Sequence, residues 1–517
     1  MTSNSKDLTK ITLFIFLFSI YPSLALLAAN IREVEMTVVI RPLLLSLLGA
    51  VIINYIILLA TKDWAKASLY TAAILILFFV HGHIVRALVD SLDIAKKESI
   101  EGASYAGVTV IAALMFYFIS KARSSLMIWV NMLNTMSIVL ILLPIMQISA
   151  VKIKSVNGPQ LSTETYSENT PSQNQRPDIY YIILDGYSRA DTLEVLGYDN
   201  SKFLRQLEEI GFYIATCSTS NYKATALSMP AALNMDYLWD AIPNTGDKDI
   251  NVSLLYDSLV HNRVRNELEQ RGYKTISFQT GYQWDEWTDA DLYIIPTNEY
   301  TADEIKRFPI TPFEYLYLRN TILYSFIESG RFATQRYYEH YNRVIFTLEE
   351  LPNIASIPGP KFVYAHIMTP HNPFVFLPDG SLNTDSRYYD SEKGYPSNSE
   401  LFTPGYLNSI QFLNSRLPGI IDEIIKNSGT PPVIVLQGDH GYIIPERRYN
   451  ILNAYYLPGQ EYDGLLYPSI TPVNTFRIIF NQYFDMNMEL RDDLMIRADI
   501  GGPYRQGRSK PFPESCP

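Results

Sequence analysis

Cysteine is almost missing. Cys217 and Cys516 are the only two in 517 residues, and neither stands in a Cys-x-x-Cys arrangement. A disulfide-built scaffold is thereby excluded; one pairing is left open, and a core of this size needs none. Basic clusters are missing as well. Lys and Arg number 42 against 53 Asp and Glu, the net charge is −11, and no Lys/Arg-rich block exceeds a short pair. That balance argues against nucleic acid as a partner. Carboxylates are missing from five long apolar runs before residue 150, where hydrocarbon would make them costly. Beyond about Ala150 the chain turns rich in Tyr, Asp, Glu, Asn and Pro. A chain this long suggests two or three domains, and composition divides it near that point.

The five apolar runs, roughly Ile11–Asn30, Leu43–Ala60, Ser68–Val85, Gly102–Ser120 and Leu126–Ala150, are each long enough to cross a bilayer. Lys6 and Lys10 precede the first, Lys62 and Lys66 separate the second from the third, and Lys121 and Arg123 separate the fourth from the fifth. The other loops carry mixed charge, so the positive-inside rule puts the amino terminus in the cytoplasm and everything after Ala150 outside. Lys152 and Lys154 oppose that orientation, and Ala25, Ala28 and Ala29 would also suit cleavage of a signal peptide. Removing the first run leaves four spans and the same external domain. His81-Gly82-His83 is expected at the outer end of the third span, as interfacial polar residues or as a contact for a headgroup or the external domain. Residues 151–176 are Ser/Thr/Asn/Gln/Glu-rich and read as a linker.

From Pro177 the pattern is strand–helix alternation. Ile179–Leu184 reads as a buried strand, followed by a helix through Phe203–Leu207 that closes at Gly211. Val264–Arg271 precedes a strand at Tyr273–Phe278, and Leu413–Asn427 precedes one at Val433–Leu436. Such alternation predicts a mostly parallel sheet with helices on both faces. Three strands end in chemistry: Asp185-Gly186 after the first, His366 and then His371-Asn372-Pro373 after Phe362–Ala365, and Asp439-His440-Gly441 after Val433–Leu436. Singly, each has an ordinary explanation as a cap or a turn. Together they converge on one edge of one sheet, where α/β proteins collect reactive groups.

A nucleophile is sought among the hydroxyls of Ser218–Asn234, where Thr225 is a candidate N-cap for a following helix. A threonine hydroxyl is a poor nucleophile unless a base or a metal withdraws its proton. A divalent metal held by Asp185, Asp439 and His440, with the Thr225 oxygen as fourth ligand, would do so.

These residues carry a family resemblance. Asp185 after a strand, Thr225 in Ala-Thr-Ala-Leu-Ser-Met-Pro, the His366…His371-Asn-Pro segment and Gly-Asp439-His440-Gly together resemble the alkaline phosphatase superfamily. The likeness is to its sulfatase-like membrane branch, which includes phosphoethanolamine transferases and lipoteichoic acid synthases. Asp191–Leu207 and Ile451–Phe480 look more like uncharacterised sulfatase-like membrane proteins. The resemblance implies an α/β fold class: a five-helix membrane domain (1–150), the linker (151–176), and an alkaline-phosphatase-like α/β sandwich with a mostly parallel central sheet (177–517). It implies a multi-pass protein of the cell membrane (inner or plasma) with its catalytic domain extracytoplasmic. One Zn or Mn ion would be held by Asp185, Thr225, Asp439 and His440, and Thr225 would be the nucleophile. His371 and His366 would bind the transferred phosphate or protonate a leaving group. True sulfatases carry Cys-x-Pro-x-Arg (or Ser for Cys) at the nucleophile; here Cys217 is followed by Ser218-Thr219-Ser220-Asn221, which argues against sulfate ester hydrolysis. The implied activity is transfer of a phosphoethanolamine- or phosphoglycerol-type group from a membrane lipid headgroup to an extracytoplasmic glycan or lipid. A hydrolase using the same residues with water, and a non-catalytic protein built on the same domain, are the other two readings.

Overall fold

The structure is a computed structural model. It describes residues 12–31, 36–91, 97–122, 126–156, 176–242, 252–296, 311–328, 331–389, 400–441, 444, 447–498 and 510–511. Cys516 and the stretch 157–175 of the expected linker lie outside them. In chain order the elements are α1 (Leu13–Asn30), α2 (Ile40–Thr61), α3 (Trp64–Ser91), α4 (Lys97–Lys121), α5 (Leu126–Val156), β1 (Ile179–Leu184), α6 (Ala190–Val195), α7 (Ser201–Ile210), β2 (Tyr213–Ile214) and α8 (Thr225–Leu233). There follow α9 (Leu238–Ala241), α10 (Val252–Val260), α11 (Arg263–Gln270), β3 (Lys274–Phe278), β4 (Leu292–Ile294), α12 (Pro312–Arg319), α13 (Tyr324–Glu328) and α14 (Arg331–Ile354). The chain continues through β5 (Lys361–Ile367), α15 (Phe402–Asn427), β6 (Val433–Gly438), β7 (Asn453–Tyr456), α16 (Pro472–Phe484) and a two-stranded sheet of β8 (Leu494–Met495) with β9 (Lys510–Pro511).

Two compact units result: Met1–Gly158 with Arg307–Ala333, and Pro159–Lys306 with Thr334–Pro517. In the first, α1 to α5 are all long and apolar enough to cross a membrane. Leu44, Leu45, Leu48, Ile52, Ile56 and Leu59 of α2 are exposed, a surface that hydrocarbon solvates and water does not. α5 runs on to Val156, so the start of the expected linker is helical. His81-Gly82-His83 does not end the third span but lies inside α3, which continues to Ser91. Packing accommodates it. The buried His81 ring is hydrogen-bonded to Ser104 of α4 at 3.1 Å, and a Cβ on Gly82 would meet the Asn320 backbone at 2.4 Å. Arg307–Ala333 is thus a second stretch of chain in this unit. Arg41 pairs with Glu314, whose carboxylate also completes a capping box with Thr311 at the start of α12. Arg86 donates to Asn320 Oδ1 at 2.8 Å.

The second unit is built on a seven-stranded sheet in the order β2-β7-β6-β1-β5-β3-β4. β6, β1, β5, β3 and β4 run parallel; β7 is antiparallel to β6 and to β2. Every residue of β1 is buried, as a central parallel strand covered on both faces requires. Its side chains alternate between two cores. Tyr180, Ile182 and Leu184 pack with Leu207 of α7, Leu348 of α14 and Leu413 of α15. Ile179, Tyr181 and Ile183 pack with Met229 of α8, Leu268 of α11 and Phe476 of α16. Each fully buried chain of this kind contributes about 1.5–3 kcal/mol, so the sheet is rigid where its strands end. β1, β5, β6 and β3 all deliver their carboxyl ends to one edge.

Candidate active site

Asp185 follows the last residue of β1, and Gly186 takes φ +78°, a left-handed conformation that glycine adopts without a Cβ clash. That turn lets the Gly186 amide donate to Asp439 Oδ1 at 2.9 Å, tying the end of β1 to the end of β6. Asp439 and His440 stand between two glycines, both required by crowding. A Cβ on Gly438 would lie 2.4 Å from the Tyr187 carbonyl oxygen, and one on Gly441 would lie 2.4 Å from that of Asn450. Gly441 is therefore needed for close approach rather than for a special φ.

His366 lies within β5, not beyond it. Its Nδ1 meets Asp285 Oδ2 at 2.5 Å, both side chains being 0 % exposed. Asp285 closes a short 3-10 turn (Gln283–Asp285) after β3, and its other oxygen accepts from the Tyr364 hydroxyl at 2.8 Å. Trp287 stacks on the Tyr364 ring at 4.1 Å and holds this support in place. His371 sits between two cis peptide bonds, Thr369-Pro370 and Asn372-Pro373; its amide donates to the Asp185 carbonyl at 2.9 Å.

The five side chains close on one another. Ligand atoms of Asp185, His371 and His440 lie within 4.8 Å of one another, as do those of Asp185, His366 and Asp439. His440 Nε2 is 3.5 Å from Asp185 Oδ1 and 3.6 Å from Asp439 Oδ2. Asp185 Oδ1, Asp439 Oδ2 and His366 Nε2 are buried and have no hydrogen-bond partner. Three buried polar atoms left without partners, in a set of two carboxylates and imidazoles, fit a divalent cation.

Thr225 is the first residue of α8 rather than its N-cap; Ala224 caps, in extended conformation and without a side-chain bond. The Thr225 hydroxyl is consequently free of capping duty and lies beside Asp439, whose carboxyl it helps hold low. The positive end of the helix dipole lies at the same point.

The charges divide unequally. Burial and the neighbouring Asp439 charge raise the pKa of Asp185 above the usual carboxylate range. Burial also acts to raise Asp439, but the charges of His440 and His366, the neighbouring Thr225 hydroxyl and the bond from the Gly186 amide outweigh it and hold that carboxyl low. Burial alone would lower His366; the Asp285 carboxylate reverses that and pushes it up to about 9.

All six residues singled out in the sequence (Asp185, Thr225, His366, His371, Asp439 and His440) are brought to this edge. Asp285 was missed. The clue was available, since Tyr273–Phe278 is one more strand followed by a polar turn, but no metal-type dipeptide marks its end. In the Tyr-rich segments 315–341 and 455–467, Tyr315, Tyr317, Tyr337 and Tyr455 are all buried in packing.

Fold and site together define a class: five apolar helices followed in sequence by an α/β domain whose sheet edge carries a buried carboxylate–imidazole cluster with a threonine at a helix start. Solved structures similar to this chain include the C-terminal periplasmic domain of EptC from Escherichia coli in complex with Zn, at 12% identity over 69% of this chain and 97% of that one, TM-score 0.44. Lipooligosaccharide phosphoethanolamine transferase A from Neisseria meningitidis, an integral membrane protein, is 13% identical over 91% of this chain and 95% of its own, TM-score 0.40. The lipoteichoic acid synthase LtaP from Listeria monocytogenes is 14% identical over 69% and 82%, TM-score 0.35. No protein-family model and no curated protein matches the chain.

Proposed function

We propose that the chain is a metal-dependent enzyme that transfers a phosphoryl-linked headgroup, with Thr225 as nucleophile. The observation that carries this reading is the Thr225 hydroxyl, at the start of α8, beside the unpartnered oxygens of Asp185 and Asp439. Asp185, Asp439, His440 and Thr225 would hold one Zn or Mn ion. When bound, such an ion supplies Lewis-acid stabilisation of an alkoxide and of phosphoryl oxygens.

The residues divide the remaining work. Thr225 Oγ attacks the phosphorus of a phosphodiester in line with the departing oxygen, and its proton passes to the neighbouring Asp439 carboxylate. The bond from phosphorus to the leaving oxygen breaks, and that oxygen takes a proton from His371 or His366. His366 suits this role because Asp285 keeps it charged with its Nε2 toward the cluster. A phosphodiester on Thr225 results. An acceptor hydroxyl then attacks the same phosphorus and gives its proton to the histidine that lost one, Thr225 Oγ departs and takes its proton back from Asp439, and the site returns to its starting state.

Five apolar helices anchor the chain in a membrane, which makes a phospholipid headgroup the donor within reach and an extracytoplasmic glycan or lipid the acceptor. The test incubates full-length protein with phosphatidylethanolamine or phosphatidylglycerol in mixed micelles and follows diacylglycerol release. Release that needs a hydroxyl acceptor supports transfer. Release at the same rate with water alone makes the enzyme a phosphodiesterase, and release undiminished in Thr225→Ala removes the mechanism.

A further inference from the structure

One helix face beside the cluster carries two side chains that the reaction above does not use. His340 and Arg343 stand one turn apart on α14. His340 is 3 % exposed and lies beside the Met368 backbone, at the start of the segment that leads to His371. Its Nε2 is buried and has no hydrogen-bond partner.

Arg343 lays its guanidinium directly on Gly281. A Cβ built there would be 2.5 Å from Arg343 Cζ and Nη2, and Gly281 itself has φ +85°, so the position is open only to glycine. Gly281 opens the turn that ends in Asp285, the partner of His366. Arg343 Nε is buried without a hydrogen-bond partner, and among the described residues no carboxylate forms an ion pair with Arg343. Glu286, the acid nearest in sequence to that turn, is already occupied: it accepts from the Gly281 amide at 2.7 Å, from the Thr280 amide at 3.2 Å and from the Tyr293 hydroxyl at 2.6 Å. Glu286 and Glu339 lie near enough to favour the Arg343 charge without pairing with it, and Arg336 on the same helix opposes it.

Arg343 is half-buried, with its Nε buried and unpartnered and the rest of its fork open to a ligand, so an anion would supply the partner that the protein does not. Its planar fork matches the oxygens of a phosphate. We propose that Arg343, with His340 beside it, binds a second phosphate group of the substrate, next to the one that Thr225 attacks. The two side chains rest on the segments that position His371 and Asp285, which places this anion site against the catalytic cluster. Desolvation lowers the pKa of both groups. The inference rests on the proposed reaction only for its location.

The experiment uses full-length protein in detergent, stripped of metal, with inorganic phosphate as probe. Phosphate is expected to raise the melting temperature of the wild type. Arg343→Met should bind phosphate at least tenfold more weakly and, without phosphate, melt no lower than wild type, because a charge with no ion-pair partner is replaced by an apolar chain of similar length. Arg343→Lys should recover part of the binding. Undiminished phosphate binding in Arg343→Met overturns the proposal. So does an Arg343→Met chain that melts far below wild type or fails to fold, since that assigns Arg343 a structural role. Repeating the titration with sn-glycerol 3-phosphate and glucose 1-phosphate identifies the source: the larger Arg343-dependent loss falls on the former for a lipid phosphate and on the latter for a sugar phosphate. A chain that binds phosphate through Arg343 yet forms no adduct on Thr225 keeps this site and loses the transfer reaction.

Discussion

Asp285→Asn isolates the contribution of a charged His366. The substitution keeps the size of the side chain and an acceptor for the Tyr364 hydroxyl, but removes the carboxylate that meets His366 Nδ1 at 2.5 Å in a site with no exposure. His366 then loses the partner that pushes it up to about 9 and falls to the ordinary imidazole value near 6.5. At pH 8 a group titrating at about 9 is roughly 90 % protonated, against roughly 3 % for one at 6.5. If protonated His366 serves the departing oxygen, diacylglycerol release at pH 8 falls about 30-fold, while at pH 6 the loss is less than about twofold. Stability follows the same sign. A histidine whose folded pKa is raised contributes fully below about 6.5 and loses that contribution as pH rises through about 9. The shift corresponds to something on the order of 3 kcal/mol, so Asp285→Asn is expected to melt well below wild type at pH 6 and close to it at pH 10. Trp287, stacked on Tyr364, is a local fluorescence reporter for that melt. Equal losses of activity at pH 6 and pH 8 would refute the reasoning.

Three further outcomes follow from the geometry. Asp439→Asn and His440→Ala should each lose bound metal as well as turnover, read by elemental analysis per chain. Chelation should abolish diacylglycerol release and added Zn or Mn should restore it, whereas a rate unaffected by chelator contradicts a metal-dependent site. Gly438→Ala drives a methyl group against the Tyr187 carbonyl and should cost about 1–3 kcal/mol together with a large loss of activity, measured by thermal melt and headgroup release.

Much of the site was legible before any coordinates, because its elements are local. A run such as Val433–Leu436 followed by Gly438-Asp439-His440-Gly441 carries strand, turn and ligands within a few residues, and β6 ends among them. The apolar spans were legible for the same reason: length and the lack of carboxylates are properties of contiguous chain. What escaped depends on pairings far apart in sequence. Asp285 becomes meaningful only beside His366, and Gly281 only beneath Arg343. The mid-helix place of His81-Gly82-His83 depends on the backbone of Arg319 and Asn320, which no periodicity in α3 reveals. The N-cap expected at Thr225 moved by one residue to Ala224, a small shift that frees the hydroxyl on which the proposed chemistry turns.

The central claim is that Thr225 becomes covalently linked to the transferred group. Intact-mass analysis of full-length wild type and Thr225→Ala, metal-loaded and incubated with phosphatidylethanolamine or phosphatidylglycerol without acceptor, tests it most directly. The account predicts a mass increase on the wild type alone, equal to the phosphoethanolamine or phosphoglycerol group and mapping to the peptide that contains Thr225. The same adduct on Thr225→Ala would contradict it.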